Sequence, residues 1–101
     1  MSAVQVPLPA KFAFRLYVAG DAVNSTQALA NLRAICADNL PGRCSIEVVD
    51  VFAEPNRALA DGVFMTPTLI KLSPEPGRRI VGSLNQRDHV LETLGVGAAV
   101  A

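Results

Sequence analysis

Two cysteines, Cys36 and Cys44, carry the most reactive side chains of this 101-residue chain. They lack the close spacing of a dithiol redox motif, and no further Cys or His lies near enough in sequence to complete a zinc site. We interpret them as small buried hydrophobic residues, the usual state of free cysteines in a core. A disulfide or redox-sensing role is the alternative. A thiol enzyme, which would need a thiol of lowered pKa, is a remote one.

The other polar residues do not predict a catalytic centre. Ser25 would need a general base to act as a nucleophile, and the only histidine, His89, lies far along the chain on a predicted helix. No phosphate-binding or dinucleotide-binding glycine pattern follows Gly20. The acidic residues are too dispersed for an acid pair or a metal cluster with His89; they include Asp21, Asp50, Glu54, Asp61 and Asp88. We therefore predict no catalytic, cofactor-binding or metal site, and interpret Ser25 as a helix cap.

Composition predicts one small domain without a nucleic-acid or membrane partner. Half of the residues are hydrophobic, the formal net charge is zero and the pI is near 6.5, so no broad attraction to nucleic acid or anionic lipid is expected. No apolar run approaches the roughly 20 residues that span a bilayer. We expect a flexible lead over residues 1–10 that is not a signal peptide, a domain over 11–95 and a flexible tail over 96–101. A cytoplasmic location follows.

The elements that position these residues can be predicted from hydrophobic periodicity. Residues 12–18 alternate, which places Phe12, Phe14, Leu16 and Val18 on one face of a first strand. The next segments are predicted as a helix from Ser25 to Leu40, a strand over Cys44–Val51, a short helix from Glu54 to Leu59, strands over Thr68–Leu72 and Arg78–Val81, and a helix ending at Gly95. The predicted α/β order is βαβαββα, beginning with a parallel, right-handed βαβ unit.

Caps and turns mark the ends of these elements. Asn24 or Ser25 would cap the first helix, and Ser83 with Gln86 three residues later would form a capping box before the last one. The proline-rich segment 73–77 would join the two late strands as a hairpin.

Thr66-Pro67-Thr68 stands before a strand, where thioredoxin-type folds place a Thr-Pro pair whose proline is typically cis. In such folds this proline faces a reactive cysteine pair. Here the segment after the first strand, residues 20–25, contains no cysteine. The chain resembles the thioredoxin frame without its redox chemistry, which favours a binding function.

Four basic residues are candidates for a partner-binding rim: Lys71, Arg78, Arg79 and Arg87. Lys71 would face Arg78 and Arg79 across the predicted hairpin. Such a rim could bind an acidic partner surface. The alternative is that Lys and Arg on an edge strand discourage unwanted strand pairing.

Several strings together resemble the KaiB family over about residues 12–94. They are Leu16-Tyr17-Val18-Ala19-Gly20, Asn24-Ser25, Val49-Asp50-Val51, Met65-Thr66-Pro67-Thr68-Leu69 and Arg79-Ile80-Val81-Gly82. The resemblance implies a non-enzymatic circadian clock component that binds the ring-shaped ATPase KaiC. It also implies competition by a KaiB-like sensor-kinase domain, involvement of KaiA in cyanobacteria, and self-association as a dimer or tetramer.

Members of this family interconvert between a thioredoxin-like form that binds KaiC and a resting form with a rearranged C-terminal half. Here Thr93-Leu94-Gly95 stands where relatives carry Gly-Leu-Asp, and a longer acidic tail is missing. We therefore expect the thioredoxin-like form, with Pro67 cis; the resting fold is the alternative.

The resemblance also implies residue roles. Gly20, Asn24, Ser25, Thr66, Pro67 and Gly82 are expected to be structural, and the expected partner-binding residues are Glu47, Val49, Pro67, Lys71, Arg78 and Arg79. Docking would use the second strand, the short helix after it and the Thr66-Pro67 region. Relatives carry basic residues where this chain has Gln27, Ala30, Glu47 and Gly62. These departures leave open a second hypothesis, a divergent homologue in stress adaptation or signalling with another protein partner.

Overall fold

A computed structural model describes residues 11–96 of the chain. Its elements are β1 (Phe12–Val18), α1 (Val23–Asn39), β2 (Cys44–Asp50), α2 (Pro55–Ala60), β3 (Thr68–Ser73), β4 (Arg78–Val81) and α3 (Arg87–Leu94). The predicted βαβαββα order is confirmed. The predicted lead and residues 97–101 of the predicted tail lie outside the described residues. Val96, assigned to that tail, is instead buried against the core, and its N–H donates to the Leu91 carbonyl.

The four strands form one mixed sheet in the order β2-β1-β3-β4. β1 pairs with β2 in parallel and with β3 antiparallel, and β3 pairs antiparallel with β4. β2 and β4 are therefore the two edges. The predicted parallel βαβ unit and the late hairpin are both present.

Each face of the sheet has its own apolar cluster. The larger cluster joins the predicted face of β1 to α1 and α3; its members include Phe14, Leu16, Leu32, Ile35, Val90 and Leu94. The smaller cluster lies between the sheet and α2 and consists of Tyr17, Val49, Ala58, Val63 and Ile70. Tyr17 alternates away from Leu16, as predicted, but α2 buries its side chain completely.

Two predicted helix caps are wrong. α1 begins at Val23 after Ala22, so Asn24 and Ser25 lie inside its first turn. Ser25 is buried, and its hydroxyl accepts a 3.0 Å hydrogen bond from the Ala19 N–H, which ties the helix to the end of β1. α3 begins after Gln86 without a side-chain cap.

The predicted capping box fails because the chain between β4 and α3 is shaped by Leu84. Leu84 has a φ of 63° and buries its side chain in the larger cluster. The preceding Ser83 offers its carbonyl to the Asn31 side-chain amide, at 2.8 Å.

The Thr66–Pro67 peptide bond is cis, as predicted. Pro67 is buried, and its carbonyl accepts a hydrogen bond from the Gly82 N–H at 2.9 Å. The Thr68 hydroxyl donates to the Met65 carbonyl at 2.6 Å. These contacts are consistent with the structural roles expected of Pro67 and Gly82, and the structural roles of Thr66, Pro67 and Gly82 stay predictions.

The two cysteines correct our interpretation of them as unpaired hydrophobic residues. Cys36 in the last turns of α1 and Cys44 at the start of β2 form a disulfide, with their Cα atoms 6.2 Å apart. The Pro41-Gly42 turn reverses the chain between them, and the Arg43 N–H donates to the Leu40 carbonyl. Cys36 is buried in the larger cluster, as predicted, but as half of a cystine.

No described helix is both long enough and apolar enough to cross a membrane.

Candidate partner-binding surface

Several large apolar side chains are exposed at the end of the sheet where β1, β2 and β4 finish and β3 begins. Phe52 follows β2 and is 76% exposed, and Phe64 and Met65, before β3, are 84% and 64% exposed. Val81 at the end of β4 is also exposed. We call Phe52, Phe64, Met65 and Val81 the apolar end. Exposed apolar groups that cluster in this way mark surfaces that bind other molecules.

Two shallow hollows join these side chains into one surface. One, of about 210 Å³, is bounded by Phe52, Phe64 and Met65. The other, of about 160 Å³, lies between Phe64, Met65 and Val81. Phe64 and Met65 belong to both hollows and therefore form the ridge between them.

The ridge projects because the residues on either side of it are anchored. Val63 is buried in the smaller cluster, and its N–H donates to the Ala58 carbonyl at 2.8 Å. Pro67 is buried on the other side. Because Val63 and Pro67 are both fixed in the core, the side chains of Phe64 and Met65 between them stay exposed to solvent.

Asp50 shapes the neighbouring part of the surface. Its Oδ1 accepts hydrogen bonds from the N–H of Gly20, at 3.2 Å, and of Phe52, at 2.9 Å. Gly20 has a φ of +53° and lies against the Phe52 ring. The predicted structural role of Gly20 is thus consistent with a turn that packs against Phe52. Asp50 thereby holds two backbone N–H groups together.

Beside the apolar end, an ion network fastens α2 to the sheet. Arg15 pairs with Glu47 at 2.8 Å and with Asp61 at 3.0 Å. Arg57 on α2 pairs with Glu47 at 2.8 Å, and the Tyr17 hydroxyl donates to Asp61 at 2.5 Å. We call Arg15, Tyr17, Glu47, Arg57 and Asp61 the α2 network. It links β1, β2 and α2 across the sheet.

The network shifts the ionisation of its own members. The Tyr17 hydroxyl and then Arg15 hold the pKa of Asp61 below its ordinary value. Hydrogen bonds from Arg15 and Arg57 lower the pKa of Glu47. Burial, together with the Asp61 carboxylate, raises the pKa of Tyr17. The folded state therefore favours ionised carboxylates and a neutral phenol.

The structure separates the residues predicted to bind a partner. The side chains of Val49, Pro67 and Lys71 are buried, whereas those of Glu47 and Arg79 are exposed beside α2. Arg79 donates to the backbone carbonyls of Asp61 and Gly62. Arg78 is exposed and donates to the Gly77 carbonyl.

The predicted basic rim is wrong because Lys71 turns inward. It shares a face of β3 with Leu69, is only 4% exposed, and donates from Nζ to the Leu94 carbonyl at the end of α3, at 2.9 Å. Its ammonium lies 5.7 Å from the centre of the Phe12 ring. Burial and the nearby Arg78 lower the pKa of Lys71. Arg87 is also apart from the hairpin, since it pairs with Asp38 on α1.

Among residues 11–96, no group of three or more His, Cys, Asp and Glu side chains could hold a metal ion. A larger hollow of about 350 Å³ lies between β4 and α3, and His89 is the one titratable residue that lines it in the part of the chain that the structure describes. The apolar end was missed by periodicity, since Phe64 and Met65 belong to no helix or strand. An adjacent apolar pair in a loop before Thr66-Pro67 was the available signal.

Comparisons with known proteins agree with this geometry. The model of the KaiB domain family matches residues 15–96. The circadian clock protein KaiB3 of Synechocystis sp. is 38% identical over 86 residues, covering 85% of this chain and 84% of that protein. The circadian clock oscillator protein KaiB of Prochlorococcus marinus is 44% identical over 80 residues, covering 79% and 67%.

Solved structures show the same architecture at low sequence identity. The N-terminal domain of Synechococcus elongatus SasA has a TM-score of 0.72 at 18% identity, covering 100% of this chain and 99% of that one. The thioredoxin Deadhead of Drosophila melanogaster has a TM-score of 0.67 at 10% identity, covering 84% and 79%. These likenesses show a thioredoxin-like fold.

Proposed function

Since the chain belongs to the KaiB family of circadian clock proteins, we propose that it is a clock or signalling adaptor that binds a KaiC-like hexameric ATPase. Binding would modulate the phosphorylation or ATPase cycle of that partner. The observation that carries this proposal is the apolar end, where two aromatic rings and a methionine are exposed around two hollows.

The composition of the apolar end suits a protein partner. Aromatic residues and methionine are enriched at protein interfaces, and a few such anchors usually supply most of the binding energy. Phe52 and Phe64 would be these anchors, with Met65 adapting its shape to the partner. The fixed flanks of the ridge reduce the entropy lost on binding.

We propose that the protein acts by binding and has no catalytic activity of its own. In the thioredoxin-like frame, a reactive pair would lie in the turn after β1, but this turn contains Gly20, Asp21 and Ala22. The cystine lies at the start of β2, whereas Phe52 lies beyond its end. At about 3.3 Å per residue, these points are about 25 Å apart along the strand. This separation argues against the thiol-oxidoreductase alternative.

Other parts of the proposal rest on family membership. A KaiB-like domain of the sensor-kinase type would compete for the same ATPase, and the likeness in fold to the SasA N-terminal domain supports such competition. Self-association as a dimer or tetramer and a cytoplasmic location are proposed on the same ground.

One observation favours a second candidate, a divergent homologue that acts on another signalling protein. Glu47, where the family resemblance implies a basic residue, forms ion pairs with Arg15 and Arg57 in this chain. A partner surface selected for a basic group would meet a carboxylate here instead, and specificity can depend on such a charge reversal.

Native mass spectrometry distinguishes the two candidates. The full chain is measured alone, to count its copies, and then with the KaiC-like ATPase of the same organism in ATP and in ADP. Nucleotide-dependent loading of the hexamer is the expected result. No complex in either nucleotide would overturn the proposal and favour the second candidate.

A further inference from the structure

The cystine joins a buried residue to a more exposed one. Cys36 is 7% exposed and packs in the larger cluster, whereas Cys44 is only partly buried. Cys44 is also the first residue of β2, an edge strand with β1 on one side. An external thiolate therefore reaches the sulfur of Cys44 more readily than that of Cys36.

The two cysteines are also held close by contacts that do not depend on the disulfide. The Leu40 N–H donates to the Cys36 carbonyl at 2.8 Å, and the Phe12 N–H donates to the Arg43 carbonyl at 2.7 Å. Leu40 itself is buried in the larger cluster. These contacts keep the end of α1 beside the start of β2, so the thiols of a reduced chain would remain placed to close again.

We propose that Cys36 and Cys44 form a reversible redox site that exchanges with small cytoplasmic thiols of the glutathione class. The external thiolate attacks Sγ of Cys44, the Cys36–Cys44 bond breaks, and Cys36 leaves as a thiolate that takes up a proton. A second small thiol then attacks the mixed disulfide and releases Cys44. The protein gains two electrons and two protons, and two small thiols become one small disulfide.

The cytoplasmic location proposed above supports a reversible disulfide, and this step of the inference rests on that proposed location. Glutathione and thioredoxin keep most cytoplasmic thiols reduced, so the disulfides found there are usually transient and redox-sensing. In this exchange each chain gains or loses its own disulfide and turns over no substrate. It therefore differs from the thiol-enzyme alternative.

Reduction is expected to loosen the first residues of β2 and leave the apolar end unchanged. Ser45 is exposed, and Cys44 and Ile46 are only partly buried against the larger cluster, so the ladder to β1 and the cystine both contribute to holding the start of this strand. Val49, near the other end, is fully buried in the smaller cluster. Hydrogen exchange should therefore rise at residues 44–46 on reduction and stay constant at residues 49–52.

The order of attack is tested first on the wild-type chain. The protein is placed in glutathione buffers of increasing reduced fraction, quenched with an alkylating agent and mapped by peptide mass spectrometry. The disulfide and the dithiol should interconvert in both directions, and any glutathione adduct should be found on Cys44. A disulfide that stays intact across these buffers, or adducts that favour Cys36, would overturn the proposal.

Matched single-cysteine variants provide the second test. With oxidised glutathione, Cys36→Ser should form an adduct on Cys44 at least about tenfold faster than Cys44→Ser forms one on Cys36, since the buried thiol must first be exposed by local opening. Equal rates in two variants with wild-type circular dichroism would contradict the assignment. The hexamer-loading experiment is read separately, so failure of this proposal is distinguishable from failure of the proposed function.

Discussion

The Tyr17 hydroxyl on β1 donates a 2.5 Å hydrogen bond to Oδ2 of Asp61, the residue that immediately follows α2. The same hydroxyl oxygen lies 3.0 Å from the Arg57 carbonyl, so its single proton is shared between two acceptors and points mainly at the nearer carboxylate. One phenol on the central part of the sheet therefore holds the C-terminal end of α2. This helix has only six residues and is too short to be stable without such contacts.

Tyr17→Phe should lower the free energy of unfolding by about 1–2 kcal/mol, because it removes a hydrogen bond to a partly screened carboxylate and keeps the buried ring. Urea denaturation followed by circular dichroism measures this change. An unchanged midpoint would mean that the hydroxyl contributes nothing to the attachment of α2.

The α2 network should make stability depend on pH on the acid side. The pKa values of Asp61 and Glu47 are lowered from their ordinary values of 3.8 and 4.5. Their contribution is therefore fully present above about pH 4.5 and is lost as the pH falls through the folded-state pKa values. Thermal unfolding between pH 7 and pH 2.5 follows this loss.

Asp61→Asn isolates one carboxylate in that series. The variant should be less stable than wild type at neutral pH, and the difference should shrink as the pH falls below about 3.8 and through the lowered folded-state pKa of Asp61, because protonation then removes the charge from the wild-type chain as well. Glu75→Gln, which changes an exposed carboxyl in the β3–β4 turn, is the matched control. A constant difference between Asp61→Asn and wild type across the series would exclude the ionic contribution.

Lys71 connects β3 to the end of α3. Two substitutions separate the contribution of its apolar stem to stability from the contribution of its charge. Lys71→Ala should lower the free energy of unfolding by about 2–4 kcal/mol, because it leaves a cavity and an unpaired Leu94 carbonyl. Lys71→Met keeps the apolar stem and removes a charge that burial disfavours, so it should retain more stability than Lys71→Ala. Equal losses in the two variants would show that the ammonium is the main contribution.

The same lysine gives a prediction for alkaline pH. Its pKa is lowered in the folded state, so the penalty for the buried ammonium is complete at neutral pH and is relieved as the pH rises toward 10.5. The stability of Lys71→Met relative to wild type should therefore decline between pH 8 and pH 10.5. A relative stability that instead rises over this range would contradict the lowered pKa.

Hydrophobic periodicity predicted the helices and strands that bury apolar side chains at regular spacing. The face of β1 that begins at Phe12 and the order of the seven elements follow from patterns that extend over several residues. The position of Lys71 was also readable, because alternation along β3 places it on the buried face with Leu69. Its charge instead predicts a position at the surface, since lysine is rarely buried without a partner.

Other features depend on contacts between distant segments. The bonds between Tyr17 and Asp61, and between Ser25 and Ala19, exist only once the strands and helices are assembled. The cystine requires the Pro41-Gly42 turn to bring Cys44 back beside α1. Phe64 projects because its neighbours are anchored, and a local pattern carries no information about that anchoring.

Binding of the KaiC-like hexamer through the apolar end is tested most directly by comparing the affinities of three chains. The double variant Phe64→Ala/Met65→Ala removes the ridge, and Leu72→Ala, at a position 42% exposed near the other end of β3, is the matched control. We predict that the double variant binds at least about tenfold more weakly than wild type, a loss of about 1.4 kcal/mol or more, whereas the control binds normally. Wild-type affinity in a folded double variant would contradict the assignment of this surface.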